Sequence, residues 1–164
     1  MIRQRLGKDL LFFDGGMGTL LQEKGLAPGE LPETWNLTHS EEIYKIHRQY
    51  IEAGSDIILT NTFGANALKF HDDSCSLEEI IKAAVSHVKK AEREALLQTG
   101  DERKIYTALD VGPTGKLLKP MGDLEFETAY EAFKEVVILG EQAGADLIHI
   151  ETMSDTYELK AAVL

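Results

Sequence analysis

Apolar residues along this chain fall into two patterns, short continuous runs and longer stripes with helical spacing. The runs predict buried strands at residues 10–13, 55–60, 104–111 and 145–150. The stripes predict helices between them and after the last, and two begin with capping-box spacing, Thr38 with Glu41 and Ser76 with Glu79. Strands that alternate with helices predict an α/β fold with a parallel sheet and right-handed crossovers.

An internal repeat sharpens the fold prediction. The segment AGSDIILTNT at 53–62 matches AGADLIHIET at 143–152, which lies two strand-helix units further on. Such self-similarity favours a (β/α)8 barrel over an open doubly wound sheet, although convergence on one helix-to-strand turn could also produce it. A complete barrel needs about 250 residues. We therefore expect four βα units with parallel strands, half of a (β/α)8 TIM barrel.

Composition narrows the class of protein. The 164 residues carry a net charge of −11 at pH 7, and this acidic balance argues against nucleic acid as a partner. The chain has one cysteine, Cys75, which excludes an internal disulfide framework and suggests the cytoplasm. Its apolar runs are too short for a signal peptide or a membrane span, so no membrane association is expected.

The candidate chemistry lies at the carboxyl ends of the predicted strands, where parallel α/β folds place their sites. Carboxylates and exposed glycine N–H groups there suit a zwitterionic ligand, because the acids bind an ammonium group and the backbone donors bind a carboxylate. Glu151 follows a buried strand, where an unpaired carboxylate is costly, whereas Asp14 could instead be a helix N-cap. The residues at these ends are Asp14, Gly15, Gly16, Asn61, Thr62, Asp110 and Glu151.

An aldolase- or lyase-like barrel is a competing interpretation. It would need a lysine at a strand end to form a Schiff base. None of the four predicted strand ends carries one, and the nearest lysines in the strand-end loops are Lys116 and Lys119. The sequence therefore gives this interpretation no support.

Five segments together resemble one family. They are DGGMGTLLQEKG at 14–25, PETWNL at 32–37, IHRQYIEAGSDIILTNTFGAN at 46–66, LDVGPTGKLLKP at 109–120 and AGADLIHIETMSD at 143–155. They resemble the homocysteine-binding (homocysteine S-methyltransferase) domain of cobalamin-dependent methionine synthase, a domain type shared with betaine-homocysteine methyltransferase. The resemblance implies a (β/α)8 barrel, of which residues 1–164 are the amino-terminal half.

The resemblance also implies roles for residues at the strand ends. Asp14 and Glu151 would hold the amino group of homocysteine, and the backbone of Gly15 and Gly16 would hold its carboxylate. Asn61 and Thr62, at the end of the second strand, complete the candidate substrate site.

The same resemblance implies a zinc ion that converts the homocysteine thiol to a thiolate, which takes a methyl group from methylcobalamin on another module. Three cysteines in the second half of the family's barrel bind that zinc, and Cys75 matches none of them. We therefore expect no catalytic residue, metal ligand or cofactor in this chain, with zinc and cobalamin belonging to the parent enzyme. The expected partners are homocysteine and either a complementary carboxyl-terminal half or a second copy. The alternative is a non-catalytic half-barrel that serves only folding or assembly.

Overall fold

The sheet at the centre of the described part of the chain is parallel and has three strands. The computed structural model describes residues 2–70, 75–100 and 103–164. In these ranges β1 (Ile57–Leu59), β2 (Tyr106–Val111) and β3 (Leu147–Ile150) lie in that order, with Ile57 opposite Tyr106 and Ala108 opposite Leu147. The helices are α1 (Met17–Glu23), α2 (Trp35–Thr38), α3 (Ser40–Ala53), α4 (Leu77–Thr99), α5 (Phe126–Ala143) and α6 (Thr156–Val163), with 3₁₀ turns at Ile2–Gln4 and Pro32–Thr34.

The predicted first strand does not form as a strand. Residues 10–13 run beside β1, and the backbone oxygen of Phe12 accepts hydrogen bonds from the N–H groups of Asp56 and Ile57. Only Phe13 makes a bridge, with Ile57, and Leu10 is 76% exposed. The prediction of a buried strand here was therefore wrong, and the described residues confirm three strands rather than four. The apolar run lies beside the edge strand β1, and within it Leu11 packs against the cluster of Ile57, Tyr106 and Ala108 while Phe13 contacts the His149 ring.

One of the two predicted capping boxes is confirmed. The Ser76 side chain accepts the N–H of Glu79, and the Glu79 side chain accepts the N–H of Ser76, at the start of α4. The box predicted at Thr38 was wrong, because Thr38 ends α2 and donates its hydroxyl to the Thr34 carbonyl. His39 occupies the N-cap of α3 without a side-chain cap.

The core lies between the sheet and the helices. All six residues of β2 are buried, whereas those of β3 are half-buried. Gly140 lets α5 approach β2 closely, because a Cβ at that position would overlap the Leu109 side chain. None of the helices in the described part of the chain combines the length and apolar character that crossing a bilayer requires.

The structure explains the internal repeat. Gly54 and Gly144 end α3 and α5 in the left-handed conformation, with φ of 112° and 95°. The aspartate two residues later then exchanges two hydrogen bonds with the neighbouring segment at each site: Asp56 with the backbone of Phe12, and Asp146 with the backbone of Thr107. The repeat is thus a helix-to-strand joint used twice, at the amino ends of β1 and β3.

Candidate functional site

A cavity of about 590 Å³ opens at the carboxyl ends of the strands. Five of the six predicted site residues line it together: Asp14, Gly15, Gly16, Asn61 and Glu151. Asp110, which follows the same strand-end pattern on β2, lines it as well. The strand ends therefore converge as the sequence indicated.

Asp14 reaches the cavity from the segment beside β1. Its Oδ2 accepts the Leu59 N–H at 3.1 Å, and its Oδ1 is buried without a hydrogen-bond partner. Burial raises the pKa of the Asp14 carboxyl to about 7, against the lowering effect of the Leu59 hydrogen bond, and the charge of Glu151 adds to the rise. Asp14 is not a helix cap, since α1 begins at Met17 with Gly16 at the N-cap.

Asp110 is the last residue but one of β2 and lies close to Glu151. Burial is the main cause that raises the pKa of Asp110 to about 8, and the charge and hydrogen bond of Glu151 raise it further. The Oδ1 atom of Asp110 is buried and unpartnered. The cavity thus concentrates carboxyl groups that favour either a shared proton or a bound cation, and an ammonium group would satisfy them.

The glycine turn after Asp14 requires glycine. A Cβ at Gly15 would lie 2.8 Å from the Tyr50 hydroxyl oxygen. That hydroxyl donates to the Gly16 carbonyl at 3.3 Å, which ties the turn to α3. A larger residue at Gly15 would therefore have to displace the Tyr50 side chain and disturb this tie between the turn and α3.

Asn61 and Thr62 are both buried, but they differ in what they contact. Asn61 lines the cavity while its Nδ2 donates to the Pro32 carbonyl at 2.8 Å and to Asn36. Thr62 does not line the cavity, because its hydroxyl donates to the Asp110 carbonyl at 2.8 Å and contacts the Thr60 hydroxyl. Thr62 therefore fixes the backbone at the carboxyl end of β2 without contacting the cavity.

Sequence reasoning missed two charged cavity residues, Glu33 and Lys69. Glu33 belongs to the 3₁₀ turn Pro32–Thr34, and its Oε1 accepts the N–H of Gly64. Lys69 follows β1 and donates to the Pro113 carbonyl at 3.2 Å. Both lie outside the strand ends that the pattern selected. The one available signal for Glu33 was its position between a proline and the start of a helix. No signal in the sequence selected Lys69. Lys69 lines the cavity, whereas Lys116 and Lys119, the lysines considered from the sequence, do not.

The described ranges contain no group of three or more His, Cys, Asp or Glu side chains arranged to hold a metal ion. Cys75 is half-buried and packs against the apolar cluster between β2 and α5. The donors present in these ranges therefore do not fit a thiolate-bound zinc.

The family model described as homocysteine S-methyltransferase matches residues 11–164. The methionine synthases of Mycobacterium leprae and Mycobacterium tuberculosis are 32% and 33% identical to this chain over 98% and 97% of its length. The chain spans only 14% of the length of each.

Among solved structures, the chain is similar to the homocysteine methyltransferase MmuM from Escherichia coli. The metallated form superposes with a TM-score of 0.83 at 23% identity, over 98% of this chain and 60% of that one. The apo form gives 0.73 at 23% identity, over 94% and 54%. These likenesses establish a shared fold over most of this chain.

Proposed function

The chain belongs to the homocysteine S-methyltransferase family, and we propose that it is the amino-terminal half of a homocysteine-binding domain. The parent enzyme would transfer a methyl group to the homocysteine thiolate and release methionine. The observation that carries this proposal is the cavity in which Asp14 and Glu151, distant in sequence, line one wall beside the Gly15–Gly16 turn.

The electrostatics of the cavity support an amino acid as the ligand. Asp14 and Asp110 have buried carboxyl oxygens without partners, and both lie close enough to Glu151 for its charge to raise their pKa values. An ammonium group between Asp14 and Glu151 would supply the missing donors and offset the repulsion. The backbone at Gly15 and Gly16 would then receive the ligand's carboxylate.

Asn61 and Thr62 act on the same site by different routes in this proposal. Asn61 forms part of the wall and fixes it to the segment that contains Pro32. Thr62 holds the backbone of Asp110, so its contribution is to keep that carboxyl group in place. Thr62 is therefore proposed as a positioning residue for the substrate site.

We also propose that residues 1–164 form half of a (β/α)8 barrel, closed by a complementary carboxyl-terminal half or by a second copy. The half-buried β3 at one edge of the described sheet supports this, as do the exposed Phe12 and Phe13 beside β1 at the other edge. Unpaired edges with apolar neighbours favour association. The superposition on 60% of a homocysteine methyltransferase chain is consistent with such a division.

Zinc and methylcobalamin belong to the parent enzyme in this proposal. When bound, zinc would supply the stabilisation that makes the homocysteine thiol a thiolate at neutral pH. The single cysteine of the chain supports the view that the ligands lie elsewhere. Stoichiometric zinc in the purified chain, or methyl transfer from methylcobalamin by the chain alone, would contradict this division of roles.

The test is titration calorimetry with homocysteine on the domain completed by a carboxyl-terminal half. Wild type should bind, and Asp14→Asn should weaken binding by about a hundredfold, because a charge-assisted bond to the ammonium is lost. Asp123→Asn is the matched control, since Asp123 is exposed and outside the cavity. Absence of binding by a folded, associated wild type would instead favour the alternative, a half-barrel that serves only assembly.

A further inference from the structure

Lys69 is a cation in an acidic cavity, and it pairs with none of the acids there. It lines the cavity together with four carboxyl groups, those of Asp14, Glu33, Asp110 and Glu151. Three of these keep a buried oxygen without a hydrogen-bond partner. Lys69 Nζ donates instead to a neutral group, the Pro113 carbonyl, at 3.2 Å, and in residues 2–70, 75–100 and 103–164 it forms no ion pair. An anionic group of a ligand would therefore find its charge available.

Two glycines from different loops make room for the Lys69 side chain. A Cβ at Gly64 would lie 3.3 Å from Lys69 Nζ, and a Cβ at Gly115 would lie 3.2 Å from Lys69 Cε. Gly115 also has a φ of 80°, which favours glycine. Its loop is held to α6, because the Glu158 carboxylate accepts both the N–H and the hydroxyl of Thr114. The protein therefore holds the Lys69 side chain in a defined position at the cavity.

The Lys69 ammonium group lies next to the acidic groups of the cavity. The Cβ position of Gly64 that is 3.3 Å from Lys69 Nζ is also 2.7 Å from Glu33 Oε1, so the two side chains flank one glycine. The pKa of Asp110 is raised first by burial and then by nearby charges, which include Glu151 and Glu33. An α-amino acid carries its ammonium and its carboxylate on one carbon. A ligand whose ammonium lies among these acids therefore needs a donor for its carboxylate close by.

We infer that Lys69 is a substrate-binding residue whose ammonium group contacts the carboxylate of the amino-acid ligand. This role rests on the proposed function, and it adds a positive charge to the backbone donors assigned to that carboxylate at Gly15 and Gly16. A hydrogen bond between a cation and a carboxylate is stronger than one from a neutral N–H. The contact does not involve the sulfur atom of homocysteine. Lys69 thereby selects an amino acid over an amine that has the same side chain.

The experiment compares homocysteine with 3-aminopropanethiol, which keeps the thiol and the ammonium group but lacks the carboxylate. Titration calorimetry on the domain completed by a carboxyl-terminal half gives both dissociation constants. Wild type should bind homocysteine about a hundredfold more tightly, and Lys69→Met should reduce this ratio by about tenfold or more, because a charge-assisted bond is lost. The affinity of Lys69→Met for 3-aminopropanethiol should not fall, whereas loss of a purely structural contact would weaken both ligands alike.

Two further variants separate charge from position. Lys69→Arg keeps a cation and should retain most of the wild-type ratio. Lys116→Met is the matched control, because Lys116 is exposed in the loop after β2 and does not line the cavity. It removes an equal charge and should leave the ratio unchanged.

Three results would overturn the role of Lys69 while homocysteine binding by wild type upholds the proposed function. They are a wild-type ratio near one, a ratio that Lys69→Met does not alter, and an equal loss of affinity for both ligands in that variant. Failure of the folded, associated wild type to bind homocysteine overturns both. If Lys69→Met does not fold, Lys69→Gln takes its place, since it removes the charge but keeps an N–H donor for the Pro113 carbonyl.

Discussion

Buried aspartates lie at both ends of the sheet, yet their surroundings are opposite. Asp56, at the amino end of β1, is 8% exposed, and Asp110, at the carboxyl end of β2, is 7% exposed. Asp56 accepts from the Phe12 N–H at 3.1 Å and from the Arg5 guanidinium at 3.3 Å. Asp110 has a buried oxygen with no partner and faces another carboxyl group, that of Glu151. Two equally buried aspartates therefore differ in their hydrogen bonds: both carboxylate oxygens of Asp56 accept one, whereas Asp110 keeps a buried oxygen without a partner.

A second aspartate at each end of the sheet shows the same contrast in hydrogen bonding. Asp146, at the amino end of β3, accepts from the Thr107 N–H and from Lys89, and Lys104 lies 3.6 Å away. Asp14, at the cavity, leaves Oδ1 unpartnered. The amino end thus joins strands to their neighbours, whereas the carboxyl end leaves buried carboxyl oxygens without a donor, which costs stability.

The largest effect that tests this comparison is expected in the pH dependence of the free energy of unfolding. The pKa values of Asp14 and Asp110 are raised to about 7 and about 8, against about 3.9 in the unfolded chain. The folded state therefore binds more protons between these limits, and the free energy of unfolding should fall as pH rises from about 4 to about 8, with the contribution of Asp14 complete by about pH 7. Each group contributes up to about 1.4 kcal/mol per pH unit.

Urea unfolding of the ligand-free domain over this pH range measures the effect. Asp110→Asn should flatten the fall and make the protein more stable than wild type at pH 7, because the amide does not have to take up a proton on folding, as a carboxyl group with a pKa of about 8 must. An unchanged pH slope in this variant would show that the cavity carboxyl groups are not underpaired.

The second test removes a partnered aspartate from the amino end. Asp56→Ala should destabilise the protein by about 2 kcal/mol, because it leaves the Phe12 N–H without its carboxylate acceptor and Arg5 without one of its two carboxylate partners. Asp56→Asn keeps an oxygen that can accept the Phe12 N–H, so it should lower the free energy of unfolding by less. Thermal or urea unfolding measures both, with Asp123→Ala as an exposed control that should change stability by less than about 0.5 kcal/mol.

Much of this contrast was predictable from the sequence. The repeat marked Asp56 and Asp146, and the strand ends marked Asp14, Asp110 and Glu151, because both follow from where apolar runs begin and stop. Helix α4 was predictable from its stripe and its capping box, which are local features.

The failures at residues 10–13 and at Glu33 have a different cause, which is dependence on contacts distant in sequence, whereas the failure at Thr38 is local. Residues 10–13 have the composition of a buried strand, but the only strand they are bridged to in the described part of the chain is β1, and Leu10 and Phe12 stay exposed. Thr38 has capping-box spacing to Glu41, yet α2 already includes it. Glu33 enters the cavity only because Gly64, thirty-one residues later, leaves space for it.

A third test measures how the free energy of unfolding changes with pH below about pH 4. Burial by itself raises the pKa of Asp146, but the hydrogen bonds from Lys89 and the Thr107 N–H outweigh it, so the pKa is lowered overall. Asp146 therefore contributes stability above about pH 4, and this is lost as pH falls through the lower folded pKa. Asp146→Asn should reduce the acid dependence of unfolding below about pH 4, opposite in sign to the effect expected for Asp110→Asn. Acid titration of stability in both variants checks this, and a common sign would remove the contrast between the two ends.

The smallest effect is expected from a cation at the amino end. Lys104 is half exposed, and its Nζ lies 3.6 Å from Asp146 Oδ2. Lys89 Nζ lies closer to the same oxygen, at 2.7 Å, and would still pair with Asp146 if Lys104 were replaced. Lys104→Met should therefore cost at most about 0.5 kcal/mol at low salt, and the difference should vanish in about 1 M salt, where screening is nearly complete. Lys89→Met, the matched variant, should cost more because it removes the closer partner. A loss well above 1 kcal/mol that persists at high salt for Lys104→Met would mean that ion pairs, rather than the backbone hydrogen bonds of Asp56 and Asp146, hold the strands together at this end.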